Sequence, residues 1–174
     1  KKSDKEVMIV GAGPAGLECA RALGQRGYEV TLLDARKELG GRVLRESALP
    51  GLNEWRRVVD WRLTQLKKMK NVAMYPSSPM TAEEILESGA QNIIIATGAT
   101  WRRDGVGRTL WKPIVGIDSE NVFTPDDIMD SGSLLPKLQE QNRQQAVGLQ
   151  NVVIYDDDHY YMGGVLAELL AEQG

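Results

Sequence analysis

Hydrophobic and polar positions follow two alternating patterns along this chain of 174 residues. Short runs of consecutive apolar residues are typical of buried parallel strands, and they predict strands at 7–10, 29–33, 71–75, 92–96 and 151–155. Apolar residues that recur every three or four positions predict helices at 14–26, 82–87 and 165–172, a helical turn at 126–129, and a longer helix capped by Asn53 with apolar positions up to Met69. Because strands alternate with helices, we expect an α/β fold in which a parallel sheet lies between helices in three layers.

The first strand is followed by glycines with the spacing G-x-G-x-x-G, at Gly11, Gly13 and Gly16. Gly11 would allow a sharp turn, Gly13 would let backbone N–H groups approach a pyrophosphate, and Gly16 would let the helix pack closely on the sheet. Pro14 suits the first helical turn, and the positive end of the helix would face the phosphates. Three glycines could instead mark a purely structural turn, but the complete strand–helix–strand context favours a Rossmann-like, FAD- or NAD(P)-binding fold.

Asp34 stands at the end of the second predicted strand, about twenty residues after the glycines. Its carboxylate could accept hydrogen bonds from ribose hydroxyls, and its negative charge would repel a 2′-phosphate. The sequence therefore favours FAD, NAD or ADP over NADP.

Composition restricts the function classes. The net charge is −3 and the basic residues are scattered, which argues against nucleic acid or an anionic membrane as a partner. No apolar run approaches membrane-spanning length and residues 1–6 are too polar for a signal peptide, so we expect a cytoplasmic location. One cysteine cannot form an internal disulfide or ligate an iron–sulfur cluster by itself, and Cys19 is interpreted as a core residue. We predict neither a metal site nor a catalytic residue.

Regular patterning weakens after residue 99, where prolines and glycines interrupt short extended pieces. Residues 138–150 are rich in Gln and predict an exposed polar connection. After it, the order strand, turn, helix repeats the start of the chain. We therefore predict an ADP- or FAD-binding domain at 1–137, a connection at 138–150, and the first βα unit of a second, incomplete Rossmann-like domain at 151–174.

Together, the glycine motif, Asp34, the pair Gly40-Gly41 and the sequence Ala96-Thr97-Gly98 after a buried strand resemble the two-dinucleotide-binding flavoprotein superfamily. Within it, the stretches 48–55, 79–82 and 93–99 resemble the C-terminal part of the trimethylamine, dimethylamine and histamine dehydrogenase family, which is related to 2,4-dienoyl-CoA reductase.

This resemblance implies a parent oxidoreductase with an N-terminal (β/α)8 barrel that carries covalent FMN and a 4Fe-4S cluster, and that passes electrons to an electron-transferring flavoprotein. This chain contains no such barrel, and its single cysteine cannot hold the cluster. The later Gly-Asp segment that closes the superfamily's first domain is also missing. The chain is therefore expected to be a fragment or a separately expressed piece that associates with the barrel domain and is not catalytic alone.

At the second predicted nucleotide turn the chain departs from the superfamily, because Asp156, Asp157 and Asp158 replace a glycine-rich sequence. Three carboxylates would satisfy the helix dipole themselves and repel a pyrophosphate. We expect no NAD(P)H to bind there, and a purely structural acidic turn leads to the same expectation.

By the resemblance, the predicted cofactor-binding residues surround one adenine nucleotide. They are Gly11, Ala12, Gly13, Pro14, Ala15 and Gly16 at the pyrophosphate, Asp34 and Ala35 at the ribose, Arg36, Gly41 and Arg42 near phosphate or adenine, Met80 at the adenine edge, and Ala96, Thr97 and Gly98 closing over the site. An ordinary surface position explains Arg36 equally well, and an ordinary loop would also explain the glycine pair.

ADP is predicted in preference to FAD, because residues 42–45 offer no clear set of donors and acceptors for a flavin ring. The alternative function is an FAD-dependent NAD(P)H oxidoreductase domain. Two features argue against this alternative: no cysteine pair follows Gly41, and the second turn is acidic. A non-catalytic scaffold with a structural nucleotide is a third interpretation.

Overall fold

The computed structural model describes residues 5–119, 121–130 and 152–172. The strands are β1 (Glu6–Val10), β2 (Glu29–Leu33), β3 (Val72–Tyr75) and β4 (Ile93–Ile95). The helices are α1 (Pro14–Gln25), α2 (Arg42–Glu46), α3 (Arg56–Leu66), α4 (Ala82–Glu87), α5 (Pro125–Met129) and α6 (Met162–Glu172), and a 3-10 turn at Asn53–Trp55 leads into α3.

The four strands form one parallel sheet in the order β3-β2-β1-β4. The chain runs from β1 to β2 and β3 on one side, and then crosses back to place β4 on the other side of β1. The carboxyl ends of all four strands therefore lie along one edge, where ligands of open α/β sheets bind. The predicted α/β fold with a parallel sheet is confirmed.

The core lies between this sheet and the helices α1 and α3. Ile9 on β1, Leu32 on β2, Leu17 on α1, and Val59 and Leu66 on α3 are at most 1% exposed. Burial of each such side chain contributes on the order of 1.5 to 3 kcal/mol, so this cluster fixes α1 on the sheet. The start of α1 is consequently held in a fixed position at the carboxyl edge of the sheet.

On their outer side, α1 and α3 are joined by charged and aromatic groups. Arg62 donates to Glu18 at 2.8 Å, and the guanidinium groups of Arg21 and Arg62 lie 5.3 and 5.7 Å from the centre of the Trp61 ring. The Arg21 hydrogen bond, opposed by partial burial, lowers the pKa of Glu18 below its ordinary value. Trp61 is thus engaged in contacts between the two helices.

Backbone contacts divide the chain into two units. Unit 1 contains residues 5–48 and 52–98, with the sheet and α1 to α4. Unit 2 contains residues 49–51 and the described residues after 98, with α5 and α6. The predicted connection 138–150 lies outside the described residues, and the predicted domain bounds stay a prediction.

Three local predictions differ from the structure. Residues 152–155 form no strand, because no strand among the described residues lies beside them to accept their backbone hydrogen bonds. Asn53 lies inside the 3-10 turn and does not cap α3, which begins at Arg56. Helix α6 begins at Met162, three residues earlier than predicted. Within the described ranges, no helix is long and apolar enough to cross a membrane.

Candidate functional site

The turn after β1 is held between the ends of two other strands. The N–H of Gly11 donates to the carbonyl of Leu33 at 2.7 Å, and the N–H of Ala96 donates to the carbonyl of Val10 at 2.7 Å. A Cβ on Gly11 would lie 2.3 Å from the carbonyl oxygen of Ala96, and its φ of 103° disfavours any other residue. Glycine is required here by the backbone of the protein itself.

Helix α1 begins at this turn. Gly13 is the N-cap, Pro14 follows it, and the first turn contains no acidic residue. The N–H of Leu17 donates to the carbonyl of Gly13, so the N–H groups of Ala15 and Gly16 precede the first intrahelical bond. Space is open at Gly13, where an added Cβ would meet no atom within 4 Å. These features together suit a bound anion.

Close packing of α1 on the sheet leaves no room for a side chain at Gly16. A Cβ at this position would lie 1.8 Å from the carbonyl oxygen of Gly11 and 3.5 Å from the Cβ of Ala96. The first turn of α1 therefore packs directly against the ends of β1 and β4, which agrees with the predicted close approach of helix and sheet.

Asp34 lies beside the same turn, immediately after β2. Its Oδ2 accepts from the N–H of Ala12 at 2.6 Å, and its Oδ1 accepts from the N–H of Arg36 at 2.8 Å. A carboxylate has about four lone-pair sites, so each oxygen retains acceptor capacity for a further donor such as a ribose hydroxyl. The two hydrogen bonds fix the carboxylate next to the glycine-rich turn.

The segment after β3 holds Asp34 from the other side. The N–H of Asp34 donates to the carbonyl of Tyr75 at 3.1 Å, and its own carbonyl accepts from Ser78 at 2.8 Å. Ser77 donates to the carbonyl of Arg36 at 3.0 Å. Sequence reasoning missed both serines, since only the parallel pairing of β2 with β3 brings them here. Met80 follows in this segment and is half-buried.

The pair Gly40-Gly41 also contacts the glycine-rich turn. The N–H of Gly40 donates to the carbonyl of Ala12 at 2.9 Å, and a Cβ on Gly41 would lie 2.9 Å from the Cα of Gly13. Close packing of two backbone segments accounts for small residues at this point, in addition to the predicted ligand contact. Arg42 lies 3.6 Å from the carboxylate of Glu46, one turn along α2.

The predicted residues thus fall into two groups. The residues tied to the glycine-rich turn by hydrogen bonds or close backbone contact come from three other segments of unit 1, and they include Asp34, Gly40, Gly41 and Ala96. Of the others, Ala15 is exposed at the start of α1, and Ala35, Arg36, Thr97 and Gly98 are exposed on the flanking loops. For both groups, contact with a nucleotide stays a prediction.

The chemistry of the remaining candidates is limited. Burial raises the pKa of the Cys19 thiol, which disfavours the reactive thiolate and agrees with a core position on α1.

Oδ1 of Asp156 accepts from the N–H groups of Asp158 and His159, and no acidic residue lies in the first turn of α6. Oδ2 of Asp156 nevertheless lies 2.7 Å from the position of a Cβ added to Gly163 in that first turn, and the expected neutralisation of the helix by three carboxylates stays a prediction. In the described segments, no three His, Cys, Asp or Glu side chains converge on a metal-binding geometry.

Comparisons with known proteins agree with this geometry. Residues 9–75 match the family of NAD(P)-binding Rossmann-like domains. The dimethylamine dehydrogenase of Hyphomicrobium sp. (strain x) is 43% identical over 100% of this chain, which spans 23% of that protein.

Two solved structures are similar over the whole chain. Histamine dehydrogenase from Rhizobium sp. 4-9 is 49% identical with a TM-score of 0.88, and this chain covers 25% of it. The 6-hydroxypseudooxynicotine amine oxidase from Pseudomonas geniculata N1 is 44% identical with a TM-score of 0.86, and 24% of it is covered. The chain therefore belongs to the trimethylamine, dimethylamine and histamine dehydrogenase family and corresponds to its nucleotide-binding part.

Proposed function

We propose that this chain binds ADP, or the ADP half of FAD, in unit 1 as the nucleotide-binding portion of an amine-oxidising flavoenzyme. The pyrophosphate would lie over Gly13 at the start of α1, and the ribose would lie at Asp34. The bound nucleotide is structural, and the residues around it perform no reaction.

The carboxylate of Asp34 carries this proposal. Its Oδ2 lies 2.6 Å from the backbone nitrogen of Ala12, which belongs to the turn that would hold the phosphates. A ribose joined to a phosphate at α1 would reach this carboxylate, whose remaining lone pairs accept its hydroxyl hydrogens. A 2′-phosphate at the same place would bring two negative charges together, which favours ADP over its 2′-phosphorylated form.

The surroundings of Gly13 fit an adenine nucleotide chemically. The space above this residue is open, the first turn of α1 carries no acidic side chain, and Pro14 removes one N–H that would otherwise need an acceptor. A bound phosphate would accept from the N–H groups at the helix start and interact favourably with the helix dipole.

ADP is proposed over FAD because a flavin needs matched polar partners of its own. Residues 42–46 form α2, and Arg42 lies beside the buried carboxylate of Glu46. A flavin carbonyl buried without a donor would cost roughly 1 to 3 kcal/mol. The parent protein would supply a barrel domain with FMN and a 4Fe-4S cluster, and an electron-transferring flavoprotein would accept its electrons.

Identification of the nucleotide that co-purifies with the chain tests the choice between the two ligands. The purified protein is heated and the released compound is analysed by chromatography and absorption spectroscopy. A colourless protein that releases stoichiometric ADP supports the proposal. A yellow protein that releases a flavin would show that FAD is the ligand, and stoichiometric NADP would contradict the role of Asp34.

A further inference from the structure

Helix α2 begins directly beside the glycine-rich turn. Gly41 is its N-cap, and a Cβ on Gly41 would lie 2.9 Å from the Cα of Gly13. The N–H of Gly40 donates to the carbonyl of Ala12, which fastens the approach to α2 to the same turn. Arg42 is the first residue of α2 and follows Gly41, so its backbone is fixed next to the place proposed for the pyrophosphate.

Glu46, the last residue of α2, has a buried carboxylate. Its side chain is only 6% exposed. Charged side chains are almost never buried unless they are paired, because the loss of hydration is costly. A buried glutamate therefore requires a positively charged or hydrogen-bonding partner, and the ion pair that the structure gives it is with Arg42.

Helical geometry directs this ion pair towards the glycine-rich turn. Residues 42 and 46 are one turn apart on the same face of α2, and helical side chains point towards the start of their helix. Oε1 of Glu46 lies 3.6 Å from Nε of Arg42, which is the separation of an ion pair rather than of a hydrogen bond. The Arg42 side chain is 30% exposed. The carboxylate is thus buried, whereas the guanidinium stays accessible to a ligand.

A guanidinium restrained in this way suits a pyrophosphate. Arginine has five N–H donors in a planar fork that matches the geometry of phosphate oxygens. Its side chain is long, and ordering it when a ligand binds costs conformational entropy. A buried carboxylate that restrains the guanidinium before the ligand arrives lowers that cost.

We propose that Glu46 is a positioning residue, whose buried carboxylate holds the Arg42 guanidinium where it binds the pyrophosphate of the nucleotide at Gly13. Glu46 acts through Arg42 and does not contact the nucleotide. This inference rests on the proposed function, because it takes the pyrophosphate to lie over Gly13.

The affinities of the full chain for ADP and for adenosine separate this role from a structural one. Adenosine has no phosphate, so a residue that acts through a phosphate-binding arginine should not affect its binding. We expect Glu46→Gln to lower ADP affinity by about three- to tenfold and to change adenosine affinity by less than about twofold, as measured by calorimetry and by NMR titration. Glu38→Gln removes the same charge from an exposed side chain just before the glycine pair, and it should change neither affinity.

Two results with folded Glu46→Gln protein would overturn the proposal. An ADP affinity that is unchanged or higher would mean that the carboxylate does not assist phosphate binding. An equal loss for ADP and adenosine would mean that Glu46 only maintains the local structure.

A double-mutant cycle shows whether Glu46 acts through Arg42. Arg42→Gln should lower ADP affinity by itself, and adding Glu46→Gln to it should cost little more, since the restrained group is already gone. Losses that add in full would show that the two residues act independently, which contradicts the proposal.

The Nε–H resonance of Arg42 gives a measurement on wild type, in case Glu46→Gln folds poorly. This resonance is assigned by its loss in Arg42→Gln, and ADP should shift it whereas adenosine should not. A resonance that does not respond when ADP binds would contradict the proposal. Wild type that binds no ADP at all would contradict the proposed function itself, and a failure confined to Arg42 and Glu46 would leave that function in place.

Discussion

The backbone N–H of Ala12 donates a 2.6 Å hydrogen bond to Oδ2 of Asp34, and this contact joins the glycine-rich turn to the end of β2. The two residues are separated by 22 positions in sequence, which is the distance that one strand–helix–strand unit places between them. Because charge-assisted hydrogen bonds are strong and directional, the contact positions the carboxylate before any ligand arrives. A preorganised acceptor lowers the cost of binding, since the side chain need not be ordered at that moment.

Gly11→Ala should destabilise the fold. The new Cβ would lie 2.3 Å from the carbonyl oxygen of Ala96, and the φ of 103° would strain any side chain. Strain and overpacking together predict a loss on the order of 2 to 5 kcal/mol in the free energy of unfolding, measured by denaturant titration. A loss below about 0.5 kcal/mol would show that the ends of β1 and β4 are not packed as described.

Gly13→Ala is the matched control for Gly11→Ala, because it should weaken nucleotide binding without destabilising the fold. This position has a φ of −70° and an added Cβ would meet no atom of the protein within 4 Å. The unfolding free energy should change by less than about 0.5 kcal/mol, whereas ADP affinity should fall by about tenfold or more, since the methyl group occupies the space proposed for the pyrophosphate. Unchanged ADP affinity in a folded Gly13→Ala protein would remove the pyrophosphate from this position.

The contact between Asp104 and Arg102 in unit 2 should depend on pH in the acid range. The Arg102 guanidinium, followed by the N–H of Val106, lowers the pKa of Asp104 from 3.8 to about 2. A carboxyl whose pKa is lower in the folded state stabilises the protein above its unfolded pKa, and that contribution is lost as the pH falls from about 4 through about 2.

An NMR titration of the Asp104 carboxyl carbon should therefore give a midpoint near 2. Arg102→Gln should raise this midpoint, whereas Arg103→Gln, which removes the partner of Asp127, should leave it in place. A wild-type midpoint near 3.8 would mean that the Arg102 contact does not form in solution.

Local sequence signals predicted several elements of unit 1. The apolar run after Gly27 predicted β2 at Glu29–Leu33 with the observed bounds, and Ala82–Glu87 is the helix that the sequence indicated. In the structure Thr81 and Glu84 form a reciprocal capping box at its start. These signals act within a few residues, and so a sequence displays them directly.

Contacts between distant segments were not predictable in the same way. Residues 152–155 have strand-forming side chains, yet a strand needs a neighbour, and pairing is not a property of the segment alone. Likewise, the spacing of Gly40 and Gly41 does not reveal that they pack against Ala12 and Gly13. The register of the parallel sheet is what brings Ser78 to the backbone of Asp34.

The central claim is that the Asp34 carboxylate binds the ribose hydroxyls of an adenine nucleotide held at the start of α1. Calorimetric titration of wild type and Asp34→Asn with ADP and with 2′-phospho-ADP tests it most directly, and Asp60→Asn on the exposed side of α3 controls for the loss of one negative charge. We expect wild type and Asp60→Asn to prefer ADP by about tenfold or more, equivalent to roughly 1.4 kcal/mol, and Asp34→Asn to lose most of that preference. Equal affinities of wild type for the two nucleotides would contradict the assignment of Asp34 to the ribose.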